Sequence, residues 1–175
     1  MIKEMRNGTA VKRFHTTTRI REETVGHHSC NVALLILRLE PSCSKELIVA
    51  ALQHDLIEQY TGDLPAPFKW RFPEMSEVLK ACEDITSDRS GIGRPDLSCE
   101  EVALLKTADT LDCMFSCLEE MRMGNQYARE LYIRLMKRLQ DTPNYGLYEG
   151  PIETMIQELK NGDQWSAEWL QTTDK

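Results

Sequence analysis

The sequence lacks any apolar run approaching the roughly 20 residues that a membrane helix needs, so no membrane span is expected. Residues 1–9 also lack the apolar stretch of a secretory signal, which points to a cytoplasmic protein. Basic residues are in deficit: 21 Lys and Arg stand against 28 Asp and Glu, for a net charge of −7. Nucleic-acid binding rests on basic surfaces that release counterions, so a nucleic-acid polymer is excluded as the main partner. A small phosphorylated ligand is not excluded, because a few local cations or a metal ion suffice to hold it. The six cysteines (Cys30, Cys43, Cys82, Cys99, Cys113 and Cys117) form no CxxC pair and no secreted-type framework. They read as reduced core residues of a cytosolic protein. Strand-like alternation, internal repeats, low-complexity tracts and domain linkers are missing too.

What is present is helix. The length of 175 residues fits one domain, and folding at that size buries roughly 70% of the unfolded surface. Periodicity predicts a helix over residues 24–39, with Thr24 as N-cap and Pro41 as stop, and a second over 44–60 carrying Leu47, Ile48, Ala51, Leu52 and Ile57. Gly62, Pro65, Pro67 and Pro73 predict a loop without regular helix over 61–73. Further helices are expected over 74–85, over 98–123 behind a Ser98–Glu101 capping box, over 126–139 and over 152–159. Residues 87–97 and 145–151 read as loops. The fold class is therefore all-α, a single compact helical bundle.

Only four histidines exist, His15, His27, His28 and His54. His54 and Asp55 stand together inside an apolar helical run, and Asp109 sits in the middle of another. A buried carboxylate without a partner costs several kcal/mol, so something positive must compensate. Two imidazoles (His28, His54) and two carboxylates (Asp55, Asp109) from three helices make an N2O2 set suited to a divalent transition ion with open positions. The alternative is a set of separate structural roles. Glu58, four residues after His54 and three after Asp55, is expected on the same side of that helix, where a carboxylate can take a proton from an attacking water. Its alternative role is a solvated helix residue.

These residues resemble a known family. His28, His54-Asp55 and Asp109 reproduce the H…HD…D pattern of the HD-domain metal-dependent phosphohydrolases. Residues 54–69, HDLIEQYTGDLPAPFK, are similar to the HDxxExxTGDLPxPxK block of the YfbR-like 5′-deoxynucleotidases. Arg13-Phe14 and residues 21–29, REETVGHHS, fit that group's RW…RxENVxEHS run in spacing. Residues 105–111, LKTADTL, then CLEE at 117–120 and Gly124-Asn125, fit its VKxADxL…CLEE…GN stretch. The resemblance spans about residues 13–125. Departures are Phe14 for Trp, His27 for Glu, and a short interval between His28 and His54; phage deoxyadenylate triphosphohydrolases resemble the same group and are similarly compact.

The resemblance implies roles. His28, His54, Asp55 and Asp109 would bind Zn²⁺, Co²⁺ or Mn²⁺; Glu58 would assist the water; and Asp63 would act beside the substrate. Arg13 would contact phosphate, Phe14 and Pro67 would border the nucleoside, and Lys106 would neutralise phosphate or serve as a surface lysine. The expected activity is hydrolysis of the 5′ phosphoester of a deoxynucleotide. A triphosphohydrolase acting on dATP or other dNTPs is preferred, with a dNMP 5′-deoxynucleotidase as the alternative. A metal-holding nucleotide sensor without catalysis is the rival from another class, and an all-α protein without a metal is a third. If the family is followed the protein is a homo-oligomer, with Tyr127, Tyr132 and Met136 as candidate interface residues, and in a phage it would act in the host cytoplasm.

Overall fold

The computed structural model describes residues 2–161 apart from Gly91, Arg94 and Asn144, and leaves aside the side chains of Ala66, Pro67, Trp70, Pro73, Ser76 and Asp88. Among the described residues the chain is all-α, as expected, with one isolated antiparallel bridge between Lys12 and Thr24. The helices are α1 (Ile2–Thr9), α2 (Val25–Leu39), α3 (Lys45–Gln53), α4 (Glu58–Thr61), α5 (Ala66–Arg71), α6 (Pro73–Ser90), α7 (Cys99–Arg122), α8 (Ala128–Gln140) and α9 (Tyr145–Lys160). None of the described helices is long and apolar enough to cross a membrane.

Caps set the first ends. Thr24 accepts from the His27 N–H at 3.3 Å and Ser44 from the Leu47 N–H at 3.0 Å, while Ser98 and Glu101 close a reciprocal capping box on α7. α7 lies at the centre of the molecule, packing against α2, α3, α8 and α9. Val32, Ile36, Leu47, Leu111, Met114, Leu139 and Ile152 interlock there without exposed surface. Each such side chain contributes about 1.5–3 kcal/mol by burial.

Four expectations fail; the first is the loop over 87–97, whose opening residues through Ser90 continue α6. The helix over 44–60 is not continuous. It ends at Gln53, and the next turn tightens into i→i−3 bonds, Leu56 N–H to Gln53 O at 3.1 Å and Glu58 N–H to Asp55 O at 3.0 Å. His54, Asp55 and Glu58 therefore do not share one side of a regular helix. The stretch 61–73 contains α5, because Pro65 precedes the helix and the next proline falls in its first turn, where no backbone N–H is needed. Residues 145–151 are helical despite Pro151, since Tyr145 and Tyr148 pack on the core and outweigh the lost bond.

α1 was not foreseen. It crosses the His54–Ile57 turn at Gly8, where a Cβ would lie 2.6 Å from the Leu56 carbonyl oxygen, so only glycine permits the approach. Beyond α1, the chain from Val11 to Arg13 pairs with Glu23 to Val25 through Arg13 N–H to Glu23 O and Val25 N–H to Val11 O, both 2.9 Å. This pairing carries Arg13 into the site. The cysteines divide: Cys117 is buried and Cys43 and Cys113 half-buried, but Cys30, Cys82 and Cys99 are exposed. The last three sit on outward positions of their helices and are not core residues.

Candidate metal centre and its cavity

Three core elements bring the four metal-ligand candidates together. His28 comes from α2, His54 and Asp55 from the tightened turn after α3, and Asp109 from α7. His28 Nε2 lies 3.1 Å from Asp109 Oδ1 and 3.6 Å from Asp55 Oδ2, and His54 Nε2 lies 3.4 Å from Asp55 Oδ2. Among the described residues His28 belongs to three groups whose ligand atoms lie within 4.8 Å of one another: His28, His54 and Asp55; His28, Asp109 and Cys113; and Glu23, His28 and Asp112. Donors about 2.1 Å from a common ion in tetrahedral geometry stand about 3.4 Å apart, which these separations approach.

The far side of each imidazole is fixed. His28 Nδ1–H donates to Asp112 Oδ2 at 2.6 Å, and His54 Nδ1–H donates to the Ala51 carbonyl at 2.8 Å. Both Nε2 atoms are buried without a hydrogen-bond partner. An orphaned buried nitrogen is costly, and two converging beside two carboxylates meet the requirement of a divalent ion for deprotonated, oriented ligands. The donor set fits.

Charge in this arrangement is shared among acids and bases. Burial disfavours a charged His28, but Asp109 and Asp112 outweigh it and push the ring up to about 9. Loss of solvent alone would raise Asp55 and Asp109; the neighbouring histidines and Arg13 hold both below the usual carboxylate range. Arg13 is nearly buried and fully engaged: Nη1 donates to Asp55 Oδ2 at 2.9 Å, Nε to Glu23 Oε1 at 3.2 Å and Nη2 to Cys113 Sγ at 3.1 Å. Glu58 behaves oppositely. Burial, then repulsion from Asp55 and Asp63, raises it to about 9, against the pull of Lys69 3.9 Å away. Its Oε2 has no hydrogen-bond partner.

A cavity of about 560 Å³ opens beside these groups, lined in part by Asp55, Glu58, Asp109, Arg13, Phe14 and Asp63. Asp63 Oδ2 accepts from the Phe14 N–H at 3.0 Å, and Phe14 adopts φ +55, a left-handed conformation that side chains beyond Cβ rarely take. The Arg19 guanidinium stacks 4.3 Å from the Phe14 ring centroid. Lys106 is exposed on α7 and does not line the cavity. Pro67 falls on α5, but its side chain lies outside the described residues.

Several functional candidates escape sequence reading. Asp112 looks like one more polar position on an apolar helix, although its i+3 spacing from Asp109 puts both carboxylates around His28. Glu23 looks like a surface acid, yet it is buried, binding Arg13 and accepting from Ser116. The lining also includes residues of α8 and the residue before it: Tyr127, Glu130, Leu131, Arg134, Leu135 and Arg138. Tyr132 and Met136, expected as interface candidates, pack on the core instead.

A family model described as 5′-deoxynucleotidase YfbR-like matches residues 1–91. That span holds Arg13, His28, His54, Asp55, Glu58 and Asp63; Asp109 lies beyond it. The 5′-deoxynucleotidase YfbR of Salmonella typhi is 29% identical over 153 residues, covering 74% of this chain and 77% of its own length. A 5′-deoxynucleotidase of Yersinia pestis (strain Pestoides F) is 29% identical over 152 residues with the same coverage, 74% and 77%. Among solved structures, the cyanophage S-2L HD phosphohydrolase bound to dA and one catalytic Zn²⁺ ion superposes with a TM-score of 0.73 at 19% identity, covering 90% of this chain and 97% of that one. An HD-domain phosphohydrolase from Listeria innocua gives 0.70 at 17% identity, covering 99% and 97%; at such identities the likeness shows the fold. The chain therefore belongs to the YfbR-like 5′-deoxynucleotidase family.

Proposed function

We propose that the chain acts as a single-domain, metal-dependent hydrolase of free deoxynucleotides, with deoxynucleoside triphosphates such as dATP as the substrate class. The observation that carries this is the pair of unpartnered, oriented Nε2 atoms of His28 and His54 beside Asp55 and Asp109, with buried Glu58 lining the same cavity as both carboxylates. A divalent ion (Zn²⁺, Co²⁺ or Mn²⁺) held by these four residues supplies positive charge to the phosphoryl group and acidity to the attacking water.

The chain's own residues supply the rest. Glu58 takes the proton of the water that attacks the α-phosphorus and returns it to the departing 5′ oxygen. The bond between that phosphorus and the 5′ oxygen breaks, so a dNTP and one water give a deoxynucleoside and tripolyphosphate. Arg13 spans Asp55 and the cavity, placing a fixed positive charge beside the reacting phosphate. Asp63 holds the Phe14 turn, and the Phe14 ring borders the nucleoside.

The curated relatives' names favour a second reading, a 5′-deoxynucleotidase acting on dNMPs. A product assay decides. The metal-loaded protein is given the four dNMPs and four dNTPs, and the products are separated. Intact tripolyphosphate from a dNTP supports the first reading, and inorganic phosphate from a dNMP alone supports the second. Nucleotide-induced stabilisation without turnover of any deoxynucleotide would overturn both in favour of a sensor.

A further inference from the structure

We infer that Arg134 and Arg138 on α8 form a subsite for the outer two phosphates of a nucleoside triphosphate, in the cavity that Asp55 and Asp109 also line. The inference rests on the reading that the substrate is a deoxynucleotide cleaved at its 5′ oxygen, and it names what selects three phosphates over one.

The first observation is charge placement. In a chain of net charge −7, α8 carries Arg129, Arg134, Lys137 and Arg138 against a single acid, Glu130. Of these four cations, Arg134 and Arg138 line the cavity, and Arg129 and Lys137 do not. Their i,i+4 spacing stacks the two guanidinium groups one helical turn apart on one face. The same turn presents Leu135 and Leu139 to the core, where both are buried. The arginine pair is thus mounted on a packed helix while its own side chains stay exposed.

The second observation is that the cation nearest the metal ligands is already committed. Arg13 gives its nitrogens to Glu23, Asp55 and Cys113. The lining holds five carboxylates, Asp55, Glu58, Asp63, Asp109 and Glu130, which repel the charge that a triphosphate adds beyond its first phosphate. Lys69, the other cation of the lining, stands 3.9 Å from Glu58; a metal ion with Arg13 would answer the inner phosphate, and the α8 pair would answer the outer ones. Arginine matches phosphate geometry in a forked, two-bond contact. Arg134 currently pairs with Glu130 across one exposed helical turn, an interaction weak enough to exchange for a phosphate. The volume of about 560 Å³ lies within the ordinary range for small-ligand sites.

The test compares R134Q/R138Q with R129Q/K137Q, which removes the same charge from the same helix but off the cavity. All four side chains are exposed, so neither double substitution disturbs the core. With the holoenzyme, the ratio of kcat/KM for dATP to that for dAMP falls about 10- to 100-fold in R134Q/R138Q and stays within about twofold of the original in R129Q/K137Q. Inorganic tripolyphosphate raises the melting temperature of the unsubstituted protein more than orthophosphate does, and R134Q/R138Q loses that difference. Equal losses in the two double variants would mean diffuse attraction and overturn the subsite, as would an unchanged ratio in R134Q/R138Q. If no deoxynucleotide is cleaved, the hydrolase reading fails by itself. Tripolyphosphate protection then still reports on the subsite, upholding it if lost in R134Q/R138Q alone and overturning it if kept.

Discussion

The cluster of His28, Asp55 and Asp109 is assembled from the buried helices α2 and α7 and the turn after α3, and three of the groups around it are held by others. Asp112 holds His28, the Ala51 carbonyl holds His54, and Glu23 holds Arg13. The lining from α8 adds Arg134 and Arg138 as exposed side chains on long stems, and Tyr127 just before the helix is 81% exposed. Groups that handle the reacting phosphorus need fixed geometry, which a packed core supplies. Groups that select the substrate can sit on a rigid helix and adapt their tips. The difference separates two kinds of damage: loss of chemistry from the cluster, loss of selection from the α8 lining.

The largest effects fall on the cluster. Replacing His54 with Ala, or removing the ion with a chelator, abolishes turnover, and metal analysis of H54A shows the ion gone. Adding Zn²⁺, Co²⁺ or Mn²⁺ back restores activity to the chelated protein but not to H54A at the same concentrations. Full activity in metal-free protein would remove the basis for the ligand assignment. Glu58→Gln comes next. It keeps the bound ion but cannot take a proton, so kcat falls by about 10²–10⁴-fold with metal content unchanged. A smaller fall, within a few-fold, would place the proton transfer elsewhere.

The same contrast decides what the sequence shows. Thr24, Ser44 and the Ser98–Glu101 box mark helix starts because capping is local. The clustering of His28, His54, Asp55 and Asp109 is legible because carboxylates and histidines inside apolar runs are anomalies that require partners. The break at His54 is not legible: periodicity runs through it, and only the crossing of Gly8 over Leu56 accompanies the tightened turn. The start of α9 depends on Tyr145 and Tyr148 finding the core, a tertiary effect that overrides Gly146, Gly150 and Pro151. Arg134 and Arg138 look like any solvated helix face, since nothing in a run of alternating basic and apolar residues reveals which side a cavity occupies. Lys106 errs the other way, matching a pattern while its side chain stays out of the lining.

Asp112 tests how far the cluster depends on its supports. Asp112→Ala leaves the four ligands in place but frees the His28 ring, and metal affinity measured by chelator competition falls about 10–100-fold. Asp112→Asn restores an acceptor for the Nδ1–H and recovers part of that affinity. A role confined to stability predicts instead that both variants lower the melting temperature while metal affinity stays unchanged.

The smallest effect concerns the strip at residues 18–21, which Glu120 holds. Glu120 on α7 is buried and accepts from the backbone N–H groups of Ile20 and Arg21 at 2.8 and 2.9 Å, and from the Asn125 amide at 2.7 Å. Burial alone would raise its pKa, but these donors and Arg19 hold the carboxyl below its ordinary value. A depressed folded pKa means stability that is fully present above the unfolded carboxylate range and is lost as the pH falls through the folded value. Glu120→Gln leaves one backbone donor without an acceptor, which costs about 1–3 kcal/mol near neutral pH in denaturant unfolding. Acidification toward about pH 4 and below narrows the gap, because protonation strips the native carboxylate of the advantage the variant never had. Metal binding persists in this variant, since Glu120 touches none of the ligands. KM is expected to rise before kcat changes, because residues 18–21 continue directly from the Phe14 turn proposed to border the substrate.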